Sequence, residues 1–389
     1  MGIGMGKGFE LCKKSIMERP ICFLPKQDPL ETLPVPFSSW EVTAKNLPKL
    51  LVASQFQKNL EELPLFPIDK LRTAPEYERA MQILSYFGHA YVWGQKNVPE
   101  AIPEVLAKPW YEVAKHLGRP PVLSYASYAL TNWKRIDNRG PIDLGNIALI
   151  QNFLGGIDEE WFILVHVAIE TKASPALDGC VEAIMAVQNE DHKSLMQSLQ
   201  KIKASLEDIC NTLDRMPERC DPYIYYHRVR PYIHGWKNHP LFPKGLIYKG
   251  VREYNEEPKQ FRGETGAQSS IIPTLDGLLG IKHAQGELYH YLQEMREYMP
   301  PKHREFVSYI ENTSQVRLFV QAHPEFHKIY NASVSLVNRF RQTHLGYAAA
   351  YIQKQHQDSY NNPTAVGTGG TPFMSYLKKH KDETEQFLL

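Results

Sequence analysis

His344 recurs with Val337, Phe340, Tyr347 and Tyr351 at three- and four-residue spacing, which places all five on one face of a helix. An imidazole carried inward on a rigid apolar face is what an axial haem ligand requires. The neutral ring supplies a lone pair, and its apolar neighbours keep water from the iron. The same placement also describes a core histidine hydrogen-bonded to a carbonyl. His166 poses the same choice inside Glu159-Glu-Trp-Phe-Ile-Leu-Val-His-Val-Ala-Ile-Glu170, a segment apolar on almost every side between its acids. It reads either as a satisfied core residue or as a distal group above a haem, able to accept a substrate N–H.

Two further segments carry candidate chemistry. Tyr223-Ile-Tyr-Tyr-His-Arg-Val-Arg230 gathers rings and guanidinium groups within one short helix, so that some of Tyr225, Tyr226 and Arg230 line one wall. Arginine there suits a carboxylate, because its planar fork binds two oxygens; a surface salt bridge is the alternative. Phe261-Arg-Gly-Glu-Thr-Gly-Ala-Gln-Ser-Ser270 leads into the segment holding Asp276, and its glycines let backbone approach a flat ligand. The competing reading is an ordinary loop in which Ser269 or Ser270 caps the following helix.

Other patterns fall away. His323-Pro-Glu-Phe-His327 lacks a third metal ligand and has its acid in the wrong place for a zinc protease, so it reads as a solvated helical turn after Pro324. The alternating glycines of residues 1–8 have no strand before them and no βαβ unit after, which argues against a dinucleotide site and for a flexible tail. GxSxG, Walker A and DFG patterns are missing.

The elements that must position these residues are helical. Half of the 28 prolines fall in the first 121 residues, where short helices and loops are expected. Beyond Gly118-Arg-Pro-Pro121 the helical signals lengthen: 122–133, 144–153, 159–189 with a break at Pro175, 192–216, 222–236, 271–299, 302–311, 314–322, 324–356 and 371–388. Strict two-residue alternation is rare, so the fold class is all-α. A smaller, proline-rich, mostly helical domain (1–118) precedes a large helical domain (119–389), within which 357–370 reads as a mobile, lid-like loop.

Composition narrows the partners. With 44 basic against 43 acidic residues and no long run of either, a nucleic-acid groove or polybasic membrane surface is disfavoured. Hydrophobic content of 43% is globular, and no apolar run is long enough to cross a bilayer. The N-terminus lacks a secretory pattern, and five cysteines without a CxxC pair read as reduced thiols, so the cytoplasm is the expected compartment.

Taken in order, several blocks resemble the indoleamine 2,3-dioxygenase family: Arg119-Pro-Pro-Val-Leu-Ser-Tyr125 with Asn132-Trp-Lys134, Gly235-Trp-Lys-Asn238, residues 261–270, Leu278-Leu-Gly-Ile281, Met295-Arg-Glu-Tyr-Met-Pro-Pro-Lys-His303, the His344 helix and Gly367-Thr-Gly-Gly370. The resemblance runs from about residue 119 to the C-terminus and is fainter before it. It implies haem b with His344 on the iron, Arg341 beside a propionate, Asp276 as a proximal acid behind the ligand, and Thr265 near the cofactor. It further implies Tyr125, Ala129, Phe162 and Gly266 in the distal pocket, Arg230 on the substrate carboxylate, and Thr368 in a loop that closes over the site. The implied reaction inserts O₂ across the indole C2–C3 bond of L-tryptophan or a related indole to give N-formylkynurenine, with an electron donor keeping the iron ferrous. A monomer or weak oligomer is expected. Three positions depart from the family pattern. Tyr225 and Tyr226 stand where mammalian members carry phenylalanines, Tyr128 replaces a small residue, and His166 stands where those enzymes have serine, which predicts that it accepts the indole N–H. Another oxidative transformation of an indole, or non-catalytic haem or gas binding, are the competing functions.

Overall fold

The computed structural model describes residues 21–355 and 362–389. Its secondary structure there is helical apart from four two-residue strands. Ala101–Ile102 pairs in parallel with Ile247–Tyr248, and Lys134–Arg135 pairs antiparallel to Ile147–Ala148. No helix among the described residues is long and apolar enough to cross a membrane.

The proline-rich first third builds longer helices than its composition predicts. Ala74–Trp93 runs for 20 residues because Pro75 sits in its first turn, where the missing N–H is no loss. Thr73 and Glu76 close a capping box there, the Glu76 carboxylate accepting the Thr73 N–H at 2.9 Å. Ser38–Val52 and Glu104–Leu117 even carry Pro48 and Pro109 internally.

Pro175 likewise fails to interrupt its helix, and Ile157–Gln188 continues for 32 residues. A mid-helix proline costs about 3 kcal/mol, but this helix is buried along most of its length against His192–Leu213, and that packing outweighs the lost bond. Conversely, the helix predicted over 144–153 does not form. Asp143 and Asn146 turn their side chains onto local backbone, Asn146 Nδ2 donating to the carbonyls of Asp137 and Pro141 at 2.9 and 2.8 Å, and Gly145 takes φ +96°. The predicted 271–299 helix is split at Gly280, whose φ of +66° ends Ile271–Leu279 before Glu287–Met295 begins.

Two apolar cores result. One joins the N-terminal helices to 122–153, Trp236 and Tyr248, drawing side chains from both sides of Gly118; the other joins Ile157–Gln188, His192–Leu213, Ile271–Leu279 and His327–Ala348. Among the described residues three segments widen into π-helical turns, Ala126–Leu130, Tyr225–Val229 and Ala349–Gln353. Each lies beside or contains a tyrosine that faces one cavity: Tyr125, Tyr225 and Tyr351. Such wide turns concentrate at functional sites because they re-aim side chains that a regular helix would bury.

Candidate functional site

The cavity measures about 870 Å³ and is lined from both cores. His344 reaches it from the His327–Ala348 helix, and His166 from Ile157–Gln188. A third histidine shows how different these two are. His89 is fully buried, its Nδ1 2.7 Å from the Tyr232 carbonyl and its Nε2 accepting the Leu123 N–H at 3.0 Å, which is a satisfied core histidine. His344 instead has neither ring nitrogen hydrogen-bonded among the described residues, and its side chain is exposed to the cavity while protein surrounds it. Burial, and secondarily the facing His166, holds its pKa down to about 4, so the ring is neutral with a lone pair to give.

Behind His344 lies a dense charged cluster. Arg341, one turn earlier, is buried with its guanidinium 2.5 Å from the Asp276 carboxylate, 2.8 Å from His380 Nε2, and bonded to the Thr384 hydroxyl. His283 bridges Asp276 at 3.4 Å and Glu383 at 2.8 Å, and stands 2.9 Å from His380. Burial pushes the Asp276 carboxyl up, but Arg341 and His283 overcome it and hold the group below its ordinary value. Asp276, His283 and His380 could together face a metal ion, yet the Arg341 guanidinium already supplies the cation between them. Asp276 was expected behind the ligand; among the described residues its bonds run to Arg341 and His283, not to His344.

On the opposite wall, His166 Nδ1 lies 2.7 Å from the Phe162 carbonyl. That contact fixes Nδ1 as the protonated nitrogen and leaves Nε2 as an acceptor; burial lowers the ring's pKa and keeps it neutral. Phe162 packs on His166 at 4.8 Å and on Tyr225 at 4.8 Å, and Tyr125 meets His166 edge-on at 5.9 Å. The Tyr125 ring is held by its hydroxyl, which donates to Glu170 Oε1 at 2.9 Å, and by Gln268, whose Oε1 accepts the Tyr125 N–H at 2.9 Å. Glu170 also accepts from Ser269 at 2.8 Å, and burial raises its pKa to about 7.

A third wall is the 261–270 loop. Gly235 and Gly263 press backbone to backbone so closely that a β-carbon on either would lie 2.1–2.2 Å from the other's nitrogen. The contact fixes Glu264, Thr265 and Gly266 against the cavity. The Thr368 hydroxyl donates to the Glu264 carbonyl at 2.6 Å, and the Thr368 carbonyl accepts the Gly235 N–H at 3.1 Å, tying down the Gly367-Thr-Gly-Gly370 segment. Ser270 precedes the Ile271–Leu279 helix, but its hydroxyl points to Met299 Sδ rather than capping it.

Of the expected site residues, His344, Arg341, Asp276, Thr265, His166, Tyr125, Phe162, Tyr225, Gly266 and Thr368 share this cavity. Ala129, Tyr226 and Arg230 do not line it; all three are buried elsewhere. Arg230 is fully buried and spends its guanidinium on the Asn362 side chain and the carbonyls of Pro363 and Val366, the last two at 2.9 and 2.6 Å. Asn362 is tied in turn to Tyr226, through the Tyr226 hydroxyl and backbone carbonyl, both at 2.6 Å. Of the expected loop 357–370, residues 357–361 lie outside the described residues. So do the N-terminal glycines and Cys12. Cys22, Cys180, Cys210 and Cys220 are free thiols.

Glu170 and Glu264 escaped the reading of the sequence. Glu170 sits four residues after His166 on one helix face, a spacing that was available as a signal. Glu264 lies within the 261–270 loop, and no local spacing marks it.

The residues suit a large flat cofactor with one axial imidazole. Besides the open His344 ring, Gly266 lines the cavity and faces open space, a β-carbon there meeting nothing within 4 Å. Residues 15–387 match the family model described as indoleamine 2,3-dioxygenase. Indoleamine 2,3-dioxygenase 1 of Rattus norvegicus is 38% identical over 376 residues, covering 93% of this chain and 92% of that protein. Indoleamine 2,3-dioxygenase 2 of Homo sapiens is 34% identical over 377 residues, with the same coverage. Indoleamine 2,3-dioxygenase acdA of Aspergillus candidus is 33% identical over 383 residues, covering 94% of each chain.

Proposed function

The chain belongs to the indoleamine 2,3-dioxygenase family and is a haem b-dependent dioxygenase, and from that premise we propose that it oxygenates L-tryptophan or a closely related indoleamine across the C2–C3 bond to give N-formylkynurenine. One observation carries the reading. Two neutral histidines from different helices open onto one cavity, and the tautomer of His166 leaves an acceptor there.

Haem b supplies the chemistry an all-protein site lacks, the binding and activation of dioxygen. His344 would ligate the iron through its unpartnered imidazole, and Arg341 would meet a propionate. His166 Nε2 would accept the indole N–H and orient the ring, which Phe162 and Tyr225 hold from the sides. Arg230 would take the substrate carboxylate, which requires the carbonyls of the 362–366 segment to yield the guanidinium. Thr368, bonded to the Glu264 carbonyl, would close the 367–370 loop over the bound substrate and exclude water.

The test is spectroscopic and chemical. The purified protein is expected to show a Soret band that disappears in His344→Ala, and mass spectrometry of a reaction with L-tryptophan is expected to find a product heavier by two oxygen atoms. A Soret band that survives in His344→Ala would remove that residue from the iron.

A further inference from the structure

Glu264 is 3% exposed and lines the cavity, yet no hydrogen bond or ion pair meets its carboxylate among the described residues. The other acids of the cavity are neutralised: Asp276 by Arg341 at 2.5 Å, and Glu311 by Arg296 at 2.5–2.7 Å. The position of Glu264 is rigid. Its N–H donates to the Ile233 carbonyl at 3.1 Å, its carbonyl accepts from Thr368, and the Gly235–Gly263 contact lies directly beside it. A buried acid left without a cation by its own protein is costly in the charged form, and burial accordingly raises its pKa to about 8.

We propose that Glu264 is the anchor for the protonated amine of the substrate, so that its carboxylate sets the preference for amine-bearing over desamino indoles. The inference rests on the dioxygenase reading above and names the group of the chain that sets its substrate preference. An entering ammonium supplies the missing countercharge. The carboxyl gives its proton to bulk water as the pair forms, and at a carboxylate as buried as Glu264 that pair is strong. A desamino indole offers no such charge and leaves Glu264 a neutral acid.

Binding is measured without turnover, from the ligand-induced change in the Soret band of the ferric holoenzyme, for tryptophan, tryptamine and indole-3-propionate. Wild type is expected to bind both amines more tightly than indole-3-propionate. In Glu264→Gln, which is nearly isosteric but uncharged, both amines are expected to weaken about tenfold or more, while indole-3-propionate stays within about twofold. Glu264→Asp keeps the charge and is expected to retain part of the preference. Equal weakening of all three ligands in Glu264→Gln, no weakening, or loss of the preference in Asp as complete as in Gln overturns the proposal. Wild-type enzyme that prefers the amines but oxygenates none of the three would overturn the dioxygenase reading and leave the anchor standing.

Discussion

Glu170 offers a measurable link between the distal wall and stability. Its Oε1 accepts from both Tyr125 and Ser269, while Oε2 is buried with no partner among the described residues, and burial raises its pKa from the ordinary 4.5 to about 7. The folded protein therefore keeps a proton that the unfolded chain loses in the window between pH 4.5 and 7. Where the unfolded state binds fewer protons, stability falls as pH rises, so this group lowers stability progressively through that window and by a constant amount above it. A displacement from 4.5 to about 7, at about 1.4 kcal/mol per pH unit, corresponds to about 3 kcal/mol. Glu170→Gln keeps the acceptor for Tyr125 and Ser269 and cannot ionise. Its amide nitrogen replaces the unpartnered Oε2 and carries a cost of about 1–3 kcal/mol that does not vary with pH. Urea denaturation of both proteins from pH 4 to pH 8 isolates the variable part. The unfolding free energy of Glu170→Gln minus that of wild type is expected to climb by about 3 kcal/mol across the range and to level off above pH 7. A difference that is flat, or that falls with pH, would show that Glu170 is ionised in the folded state and refute the reasoning.

Two other outcomes test the site. In His166→Ala, the loss of one acceptor for the indole N–H is expected to cost tryptophan about five- to tenfold in kcat/KM, consistent with about 1–1.5 kcal/mol for one such bond. 1-Methyltryptophan, which has no N–H, is expected to change little, and equal losses for both would place the acceptor elsewhere. Arg230→Ala is expected to retain the Soret band while KM for tryptophan rises and kcat falls, together by about tenfold or more. Unchanged turnover would leave Arg230 as a tether for the 362–366 segment alone.

The two histidines were legible because helical periodicity is local: the apolar neighbours of His344 and His166 within a few residues declare which way each ring faces. Local chemistry also misled. Prolines in the first third predicted short helices, and Pro175 predicted a break, whereas position in the first turn and burial against a neighbouring helix decided otherwise. The pairing of side chains was not legible at all. Arg230 looks equally suited to a carboxylate and to a surface salt bridge in the sequence, and only the fold brings residues 132–136 positions away onto its guanidinium.

By itself, then, the sequence determined the all-α class, the residue types of the site, and the two histidine faces, since each depends on spacing within one element. Tertiary structure decided that both histidines share one cavity and that, among the described residues, His89 is satisfied while His344 is open and Glu264 is the cavity acid left without a partner. The physical reason is that ionisation, hydrogen-bond satisfaction and access to a cavity depend on atoms brought together from distant parts of the chain.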